Sequence, residues 1–567
     1  MAHCTRARDN AGGYVRHSTL ICLLLLATLL FGGVGIAPEQ LADAPVLARV
    51  EWSGAPVPTL PVYALIRDAA ARDYALVLAP LNHLRQSGAR YRVLDANGAR
   101  PEDYVIARER RAGARTQAAR QLAVLDDDGR QIVVRLPFAQ ADALAALGFS
   151  LRRLDTPLVF RAPPLPRVSQ AAFPDPTVAA MIAQVQSNAV SNYTAQLSGE
   201  VPATIGGAPY TIASRHTRSG TPIQKATQYV YERMQALGLA VSYHNWSACG
   251  LSNRNVVAEK IGLTRPNESV LVVAHLDDLP WGSSAPGADD NASGSVGVWL
   301  AAEILRQYHF ERTLRFVFFT GEEQGMCGSS RYAASLSGQS VIAVYNMDML
   351  AWNAIDGPTL RLHTRAPSQP GHSGDLAIAN TFVNVVSAYG LSSHLSPIVD
   401  SDGAGESDHV SFWNQGWSSI LAIEDDYDDF NTKYHTTGDR LSQLDLVYFT
   451  SFVKASVGTV AHLALPLSEA GSVRGTISDA ATLLPIHNAA VQATGGASPA
   501  LTQTDASGTY TFSLPAGTYT MTASASRYLA QTVSGVVVSA TITTTRDLLL
   551  SPAPHILFAP IINQRAP

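Results

Sequence analysis

The chain has 567 residues, 46% hydrophobic and only 15% charged, with 42 Gly and 32 Pro. That length corresponds to about three to four domains, and the composition excludes both a disordered chain and a coiled coil. With 41 Lys and Arg against 46 Asp and Glu, the net charge of −5 gives no global electrostatic reason to bind nucleic acid or an anionic membrane, and four cysteines are too few for a disulfide-dense scaffold.

Residues 1–37 read as an export signal: Arg6, Arg8 and Arg16 precede an apolar run from Leu20 to Phe31, and small residues follow. An uncleaved membrane anchor is the competing reading, because the apolar stretch nearly reaches spanning length. Cleavage removes Cys4 and Cys22 and leaves Cys249 and Cys327 as a pair that an oxidising compartment can join.

Residues 38–165 carry an internal repeat. Asp73–Asp95 and Gln131–Asp155 each read strand, short helix, Gly, strand, and Leu84, Gly88, Leu94 and Asp95 recur sixty positions later as Leu144, Gly148, Leu154 and Asp155. The pattern predicts two β-α-β halves of one ferredoxin-like α+β domain. A proline-rich stretch, Thr156–Pro176, offers Arg161 and Arg167 to a protease. The segment is therefore either a removable prodomain or a permanent accessory domain.

From 176 to 466, helix-period and strand-period signals alternate, which predicts an α/β domain: a mostly parallel mixed sheet with helices on both faces. From 470 to 550 the signals change to short strands rich in Thr and Tyr, punctuated by Gly508 and Gly517, the pattern of a β-sandwich, and residues 551–567 form a tail.

The chemistry concentrates in the α/β segment. His275 ends SVLVVAH, Glu322 and Glu323 follow TLRFVFFTG, and Asp348 ends VIAVYNMD, so the predicted topology gathers them in one crevice beyond the carboxyl ends of the strands. Asp290 opens a helix in PGADDNASG, and His435 lies in KYHTTGD. This nitrogen and oxygen donor set suits Zn²⁺, and two ions about 3.5 to 4 Å apart polarise a carbonyl while activating water. One of the paired glutamates ligates while the other stays free as general base. Taken singly, His275 reads as a core histidine, the glutamates as a solvated pair and Asp290 as a helix N-cap. Their coincidence at element ends within one domain is the signal.

HLDD, PGADDNASG, FTGEEQG, NMDM and YHTTGD, in this order and at these distances, resemble the secreted co-catalytic zinc aminopeptidases of the bacterial leucyl aminopeptidase and aminopeptidase Y type, over about Ala179–Leu463. The C-terminal LLPIHNAAVQAT, DASGTYTFSLPAGTYT and DLLL resemble the carboxypeptidase regulatory-like, prealbumin-like sandwich. The first resemblance implies the zinc exopeptidase fold, with two Zn²⁺ bridged by Asp290. His275 and Asp348 would complete one site, Glu323 and His435 the other. It implies Glu322 as general base, Asp277 as the carboxylate orienting His275, and Tyr434 as a hydrogen-bond donor to the oxyanion. Peptide or protein N-termini would be the substrates of a secreted enzyme, with no nucleic-acid partner and no membrane contact beyond the export signal; the oligomeric state stays open.

Met349, Leu350, Phe412 and Trp413 are candidates for the first side-chain pocket. EDDYDDFN, Glu424–Asn431, reads as a solvated acidic loop rather than a calcium site, and His409 of ESDH as structural. A carboxypeptidase or a one-zinc glutaminyl cyclase on the same fold, or a non-catalytic binding protein, remain the alternatives.

Overall fold

The structure, a computed structural model, describes residues 44–55, 60–98, 100–161, 166, 174–355, 357–467, 470–495, 499–515, 517–539 and 542–554. The expected export signal (1–37), Arg167 and the tail beyond 554 lie outside the described residues.

Strands β1 (Pro45–Glu51), β2 (Val62–Arg67) and β3 (Asp73–Pro80), helix α1 (Leu81–Gln86) and β4 (Tyr91–Asp95) make an antiparallel sheet in the order β2-β3-β1-β4. A second antiparallel sheet, in the order β6-β7-β5-β8, follows from β5 (Tyr104–Glu109), α2 (Ala114–Gln121), β6 (Val124–Asp127), β7 (Gln131–Arg135), α3 (Ala141–Ala146) and β8 (Phe149–Arg153). This corrects the expectation of a single ferredoxin-like sheet shared by two repeat units. Each unit is instead part of its own four-stranded sheet, completed by β1 and β2 or by β5 and β6. The two sheets pack face to face, Leu47, Ala64 and Leu76 against Tyr104, Ile106 and Val133. Strands β1 and β5 are buried along most of their length, so they lack the polar alternation that marks a half-exposed strand.

In β8, side chains alternate between faces. Phe149 and Leu151 enter the apolar core beneath α2 and α3, whereas Ser150 and Arg152 reach residues of the next domain.

That domain begins with α4 (Pro176–Ala183), α5 (Ser187–Leu197), a small hairpin of β9 (Ala203–Ile205) and β10 (Ala208–Tyr210), and α6 (Thr221–Ala236). Helix α6 starts with Pro in its first turn and buries Ile223, Ala226, Val230 and Met234 at helical spacing. Then come β11 (Ala240–Ala248), β12 (Leu251–Lys260), β13 (Arg265–His275), α7 (Gly294–Leu305), β14 (Arg312–Phe319), α8 (Cys327–Ser335), β15 (Ser340–Met347), β16 (Thr359–His363), α9 (His372–Ala388), β17 (Ser396–Asp400), α10 (His409–Asn414), β18 (Ser419–Glu424) and α11 (Leu446–Ala464).

The eight strands β11 to β18 form one mixed sheet, β11-β12-β14-β13-β15-β18-β16-β17. Its centre, β14-β13-β15-β18, is parallel, while β11, β12 and β16 pair antiparallel to their inner neighbours. Both faces are covered, as the continuous apolar runs of its central strands require. Trp299, Phe382, Phe449 and Phe452 pack on one face, and Tyr332, Phe412 and Trp417 on the other. Helix α11 has the length and apolarity of a membrane span but is a core helix, with 83% of its apolar window buried.

The C-terminal strands β19 (Ala470–Asp479), β20 (Ala490–Thr494), β21 (Ala500–Gln503), β22 (Thr509–Pro515), β23 (Gly517–Ser524), β24 (Gln531–Val538), β25 (Thr543–Thr545) and β26 (Leu548–Leu550) make two sheets around a separate core that includes Val473, Val491, Tyr510 and Met521. The sandwich is as expected.

Candidate metal centre

Parallel pairing of β13 with β14 and β15 brings their carboxyl ends to one edge of the sheet. His275 ends β13, Asp348 follows β15, and the turn after β14 carries Glu322 and Glu323. Asp290 arrives on the segment before α7, and its backbone is fixed by Asp439, whose carboxylate accepts from Asp289 N and Asp290 N at 2.9 Å each. His435 lies in the loop after β18 with φ +58°.

All five predicted donors come together in two buried triads that share Asp290: His275, Asp290 and Asp348, and Asp290, Glu323 and His435. Asp290 Oδ1 is 3.4 Å from His275 Nε2, and its Oδ2 is 3.3 Å from His435 Nε2. Asp348 Oδ1 stands 3.1 Å from His275 Nε2 and Glu323 Oε2 2.9 Å from His435 Nε2. Yet His435 Nε2 and Glu323 Oε1 are buried with no hydrogen-bond partner among the described residues. His275 Nε2 and Asp348 Oδ1 are within hydrogen-bond distance, but the atoms of each triad lie within 4.8 Å of one another, and buried donor atoms left without a protein partner at such spacing suit an ion. Burial holds the Glu323 carboxyl up at about 7 and the Glu322 carboxyl well above the usual range despite the opposing pull of His275. A buried cluster of carboxylates of this kind calls for cations, and imidazole with carboxylate oxygens suits zinc.

The surroundings fix the donors. His275 Nδ1 is 3.1 Å from the backbone carbonyl of Asp277 and 3.9 Å from its carboxylate, so the carbonyl is the nearer acceptor for the ring. The Asp277 carboxylate accepts from Thr217 Oγ1 at 2.7 Å and from Glu322 N at 3.3 Å, so it positions the turn carrying Glu322. Ser407 donates to Asp348 Oδ2 at 2.6 Å. Asp439 and Ser407 were not singled out in the sequence, although both lie inside quoted motifs, YHTTGD and ESDH.

Tyr434 stacks on His435, with ring centroids 3.6 Å apart, and its hydroxyl lies 3.0 Å from Ser150 Oγ. Of the apolar candidates only Met349 lines the crevice, joined by Leu421, Ile423 and Phe430. Leu350 and Phe412 belong to the two faces of the main core, and Trp413 packs on Met326 and Val410. The Glu424–Asn431 loop is largely buried rather than solvated, its carboxylates engaged by Arg110, Trp352, Arg361 and His363. His409 is structural, bonded through Nε2 to Ala404 O. Cys249 and Cys327 form a disulfide that joins the β11–β12 hairpin to α8.

The second N-terminal sheet roofs this crevice. Arg110, Phe149, Ser150 and Leu151 line it opposite the metal donors, leaving a cavity of ≈ 20 Å³, room for about one water. The roof touches the segments that carry His275, Glu322 with Glu323, and His435. His435 Nδ1 meets Ala145 O at 3.3 Å, Arg153 Nε donates to Gln324 O at 3.1 Å, and Leu279 inserts into the apolar core beneath α2 and α3.

Residues 255–458 match Peptidase family M28, and residues 472–551 match the Carboxypeptidase regulatory-like domain. A probable leucine aminopeptidase of Trichophyton verrucosum (strain HKI 0517) is 28% identical over 226 residues, 37% of this chain and 57% of the relative. Leucine aminopeptidase 1 of Coccidioides posadasii (strain C735) is 26% identical over 273 residues, 44% of this chain and 67% of the relative. The chain thus spans little more than half the length of the first of these. The crystal structure of LapB from Legionella pneumophila superposes with a TM-score of 0.50 at 18% identity, over 64% of this chain and 99% of that one, which supports the fold. The resemblance read from the five motifs and from the C-terminal strands is borne out.

Proposed function

We propose that this chain, whose residues 255–458 match Peptidase family M28, is the precursor of a secreted aminopeptidase that uses two zinc ions to remove N-terminal residues from peptides. The observation that carries this reading is the pair of buried triads sharing Asp290, with Glu322 lining the same crevice and His435 Nε2 lacking a hydrogen bond among the described residues. The fungal relatives, which are named leucine aminopeptidases, agree with it.

Asp290 would bridge the ions, with His275 and Asp348 completing one site and Glu323 and His435 the other. When bound, zinc supplies Lewis acidity toward the scissile carbonyl and lowers the pKa of the attacking water. Glu322, held above the ordinary carboxylate range by burial, accepts the water's proton and passes it to the leaving amine. The Tyr434 hydroxyl donates to the developing oxyanion once Ser150 has moved away. The crowd of carboxylates favours a substrate with a free, cationic α-amine, which restricts action to chain ends. Five donors plus a free glutamate favour this reading over a one-zinc cyclase or a non-catalytic binding protein.

The segment before the peptidase domain acts as a removable prodomain. A ≈ 20 Å³ cavity cannot admit a peptide. Arg161 is not a simple exposed cleavage point, since its guanidinium lies 4.8 Å over the Trp417 ring, so cutting there requires local undocking. Export follows from the charged and apolar pattern of residues 1–37, and the Cys249–Cys327 disulfide suits an oxidising compartment.

Zinc analysis combined with turnover of amino-acid p-nitroanilides, before and after cleavage within 156–175, tests the proposal. Two zincs per chain and activity after cleavage support it; one zinc with pyroglutamate formation, or no turnover at all, overturns it.

A further inference from the structure

The roof is seated by guanidinium groups. Arg110, just beyond β5, has a side chain only 5% exposed. Its Nη1 donates to Asp426 Oδ2 at 2.5 Å, its Nη2 lies 3.9 Å from Glu406 Oε2, and its Nε donates to Ser150 Oγ at 3.0 Å. The same guanidinium sits 5.6 Å from the centre of the Phe430 ring. Arg108 donates to Glu406 at 2.9 Å and approaches Asp402 at 3.8 Å, and Arg130 stands 3.6 Å from Asp402.

Beneath the roof, the peptidase domain supplies fewer cations than carboxylates. His363 bridges Asp402 and Asp426, at 3.1 and 3.0 Å, and Arg361 spans Asp400, Asp425 and Asp428. Glu406 finds its ion-pair partners, among the described residues, only on the roof. Withdrawing the roof therefore leaves this rim anionic and short of partners, in a place where leaving a buried charge unpaired is costly.

Arg110 and Glu406 line the same cavity as His275, Glu322 and Glu323, along walls made by Met349, Ile423 and Phe430. Apolar walls that lead to the Glu406 carboxylate, with Asp426 beyond the lining but within reach of the Arg110 head group, match a side chain with an aliphatic stem and a cationic head. We infer that Arg110 occupies the place of a substrate's basic side chain, and that the uncovered crevice selects peptides presenting Arg or Lys there, the head group taking over Asp426 and Glu406. The inference rests on the peptidase reading and gives it a substrate class.

The first test is independent of turnover. Full-length Arg110→Ala is titrated calorimetrically with butylguanidinium and with 1-butanol, which has the same stem and no charge. The expected result is butylguanidinium binding about tenfold or more tighter than butanol, absent from the unsubstituted chain and lost in Arg110→Ala/Glu406→Gln. Equal binding of the two probes overturns the inference. The second test needs no change in the roof. The zinc-loaded chain cut within 156–175 should show kcat/KM at least about tenfold higher for the p-nitroanilide of Arg than for that of Leu, and this ratio should collapse in Glu406→Gln. A preference for Leu overturns the inference while sparing the peptidase reading. Silence toward both substrates, with butylguanidinium still bound by Arg110→Ala, overturns the peptidase reading and leaves the cation site standing.

Discussion

The Ser150 hydroxyl, on a strand of the N-terminal roof, stands 3.0 Å from the hydroxyl of Tyr434 beside the metal donors. On the proposed reading, substrate would reach Tyr434 only after that contact is broken, so the roof would have to leave before turnover. The intact chain should be less active than the chain cut in its linker. Mass spectrometry of secreted protein should place the mature N-terminus between Asp155 and Ala179. A mature protein beginning near Pro38 with full activity would make residues 45–155 a permanent domain.

Leu279 ties the roof to the loop that follows His275, being 3% exposed within the core beneath α2 and α3. Leu279→Ala should weaken docking by about 2 to 4 kcal/mol. Uncut variant should then show a higher basal rate and faster cleavage in limited proteolysis. Unchanged rates in both assays would mean that Leu279 does not help to hold the roof.

The shared carboxylate predicts an asymmetry in metal loss. Asp290→Ala should empty or scramble both sites, whereas His275→Ala should weaken chiefly one, as read by zinc stoichiometry after dialysis. Full double occupancy of the Asp290 variant would move the bridge to another residue.

Beneath Arg108 and Arg110, Asp426 and Asp402 hold the His363 imidazole up at about 10, although burial alone would lower it. A group raised in the folded state stabilises the protein fully below its unfolded value of about 6.5, and the contribution fades as pH rises toward 10. The stability gap between the unsubstituted chain and His363→Gln, measured by denaturant unfolding, should therefore shrink from pH 6 to pH 10. A gap that widened over this range would refute the buried imidazolium.

Four of the five candidate donors were legible because His275, Asp290, Glu323 and Asp348 sit where a strand or helix meets a loop, and the polarity of the parallel strands sends those ends to one edge, whereas His435 lies within a loop and was legible only through YHTTGD. The approach of the Asp277 carbonyl to the His275 ring was not legible, since a backbone acceptor leaves no residue signature. Nor was the burial of Glu424–Asn431: clustered carboxylates look solvated until Arg110, Arg361 and His363 arrive from distant elements. The N-terminal repeat was visible at Asp73–Asp95 and Gln131–Asp155, but its partner strands β1 and β5, buried on both faces, lacked the alternation that would have separated two sheets from one.

The central claim is that Glu322 moves a proton without holding an ion. Glu322→Gln in the linker-cleaved enzyme tests it most directly, with zinc content and turnover measured on the same sample. Zinc content should stay at that of the unsubstituted enzyme while kcat falls by about 10²-fold or more. Loss of zinc from the variant, or turnover near that of the unsubstituted enzyme, would contradict the account.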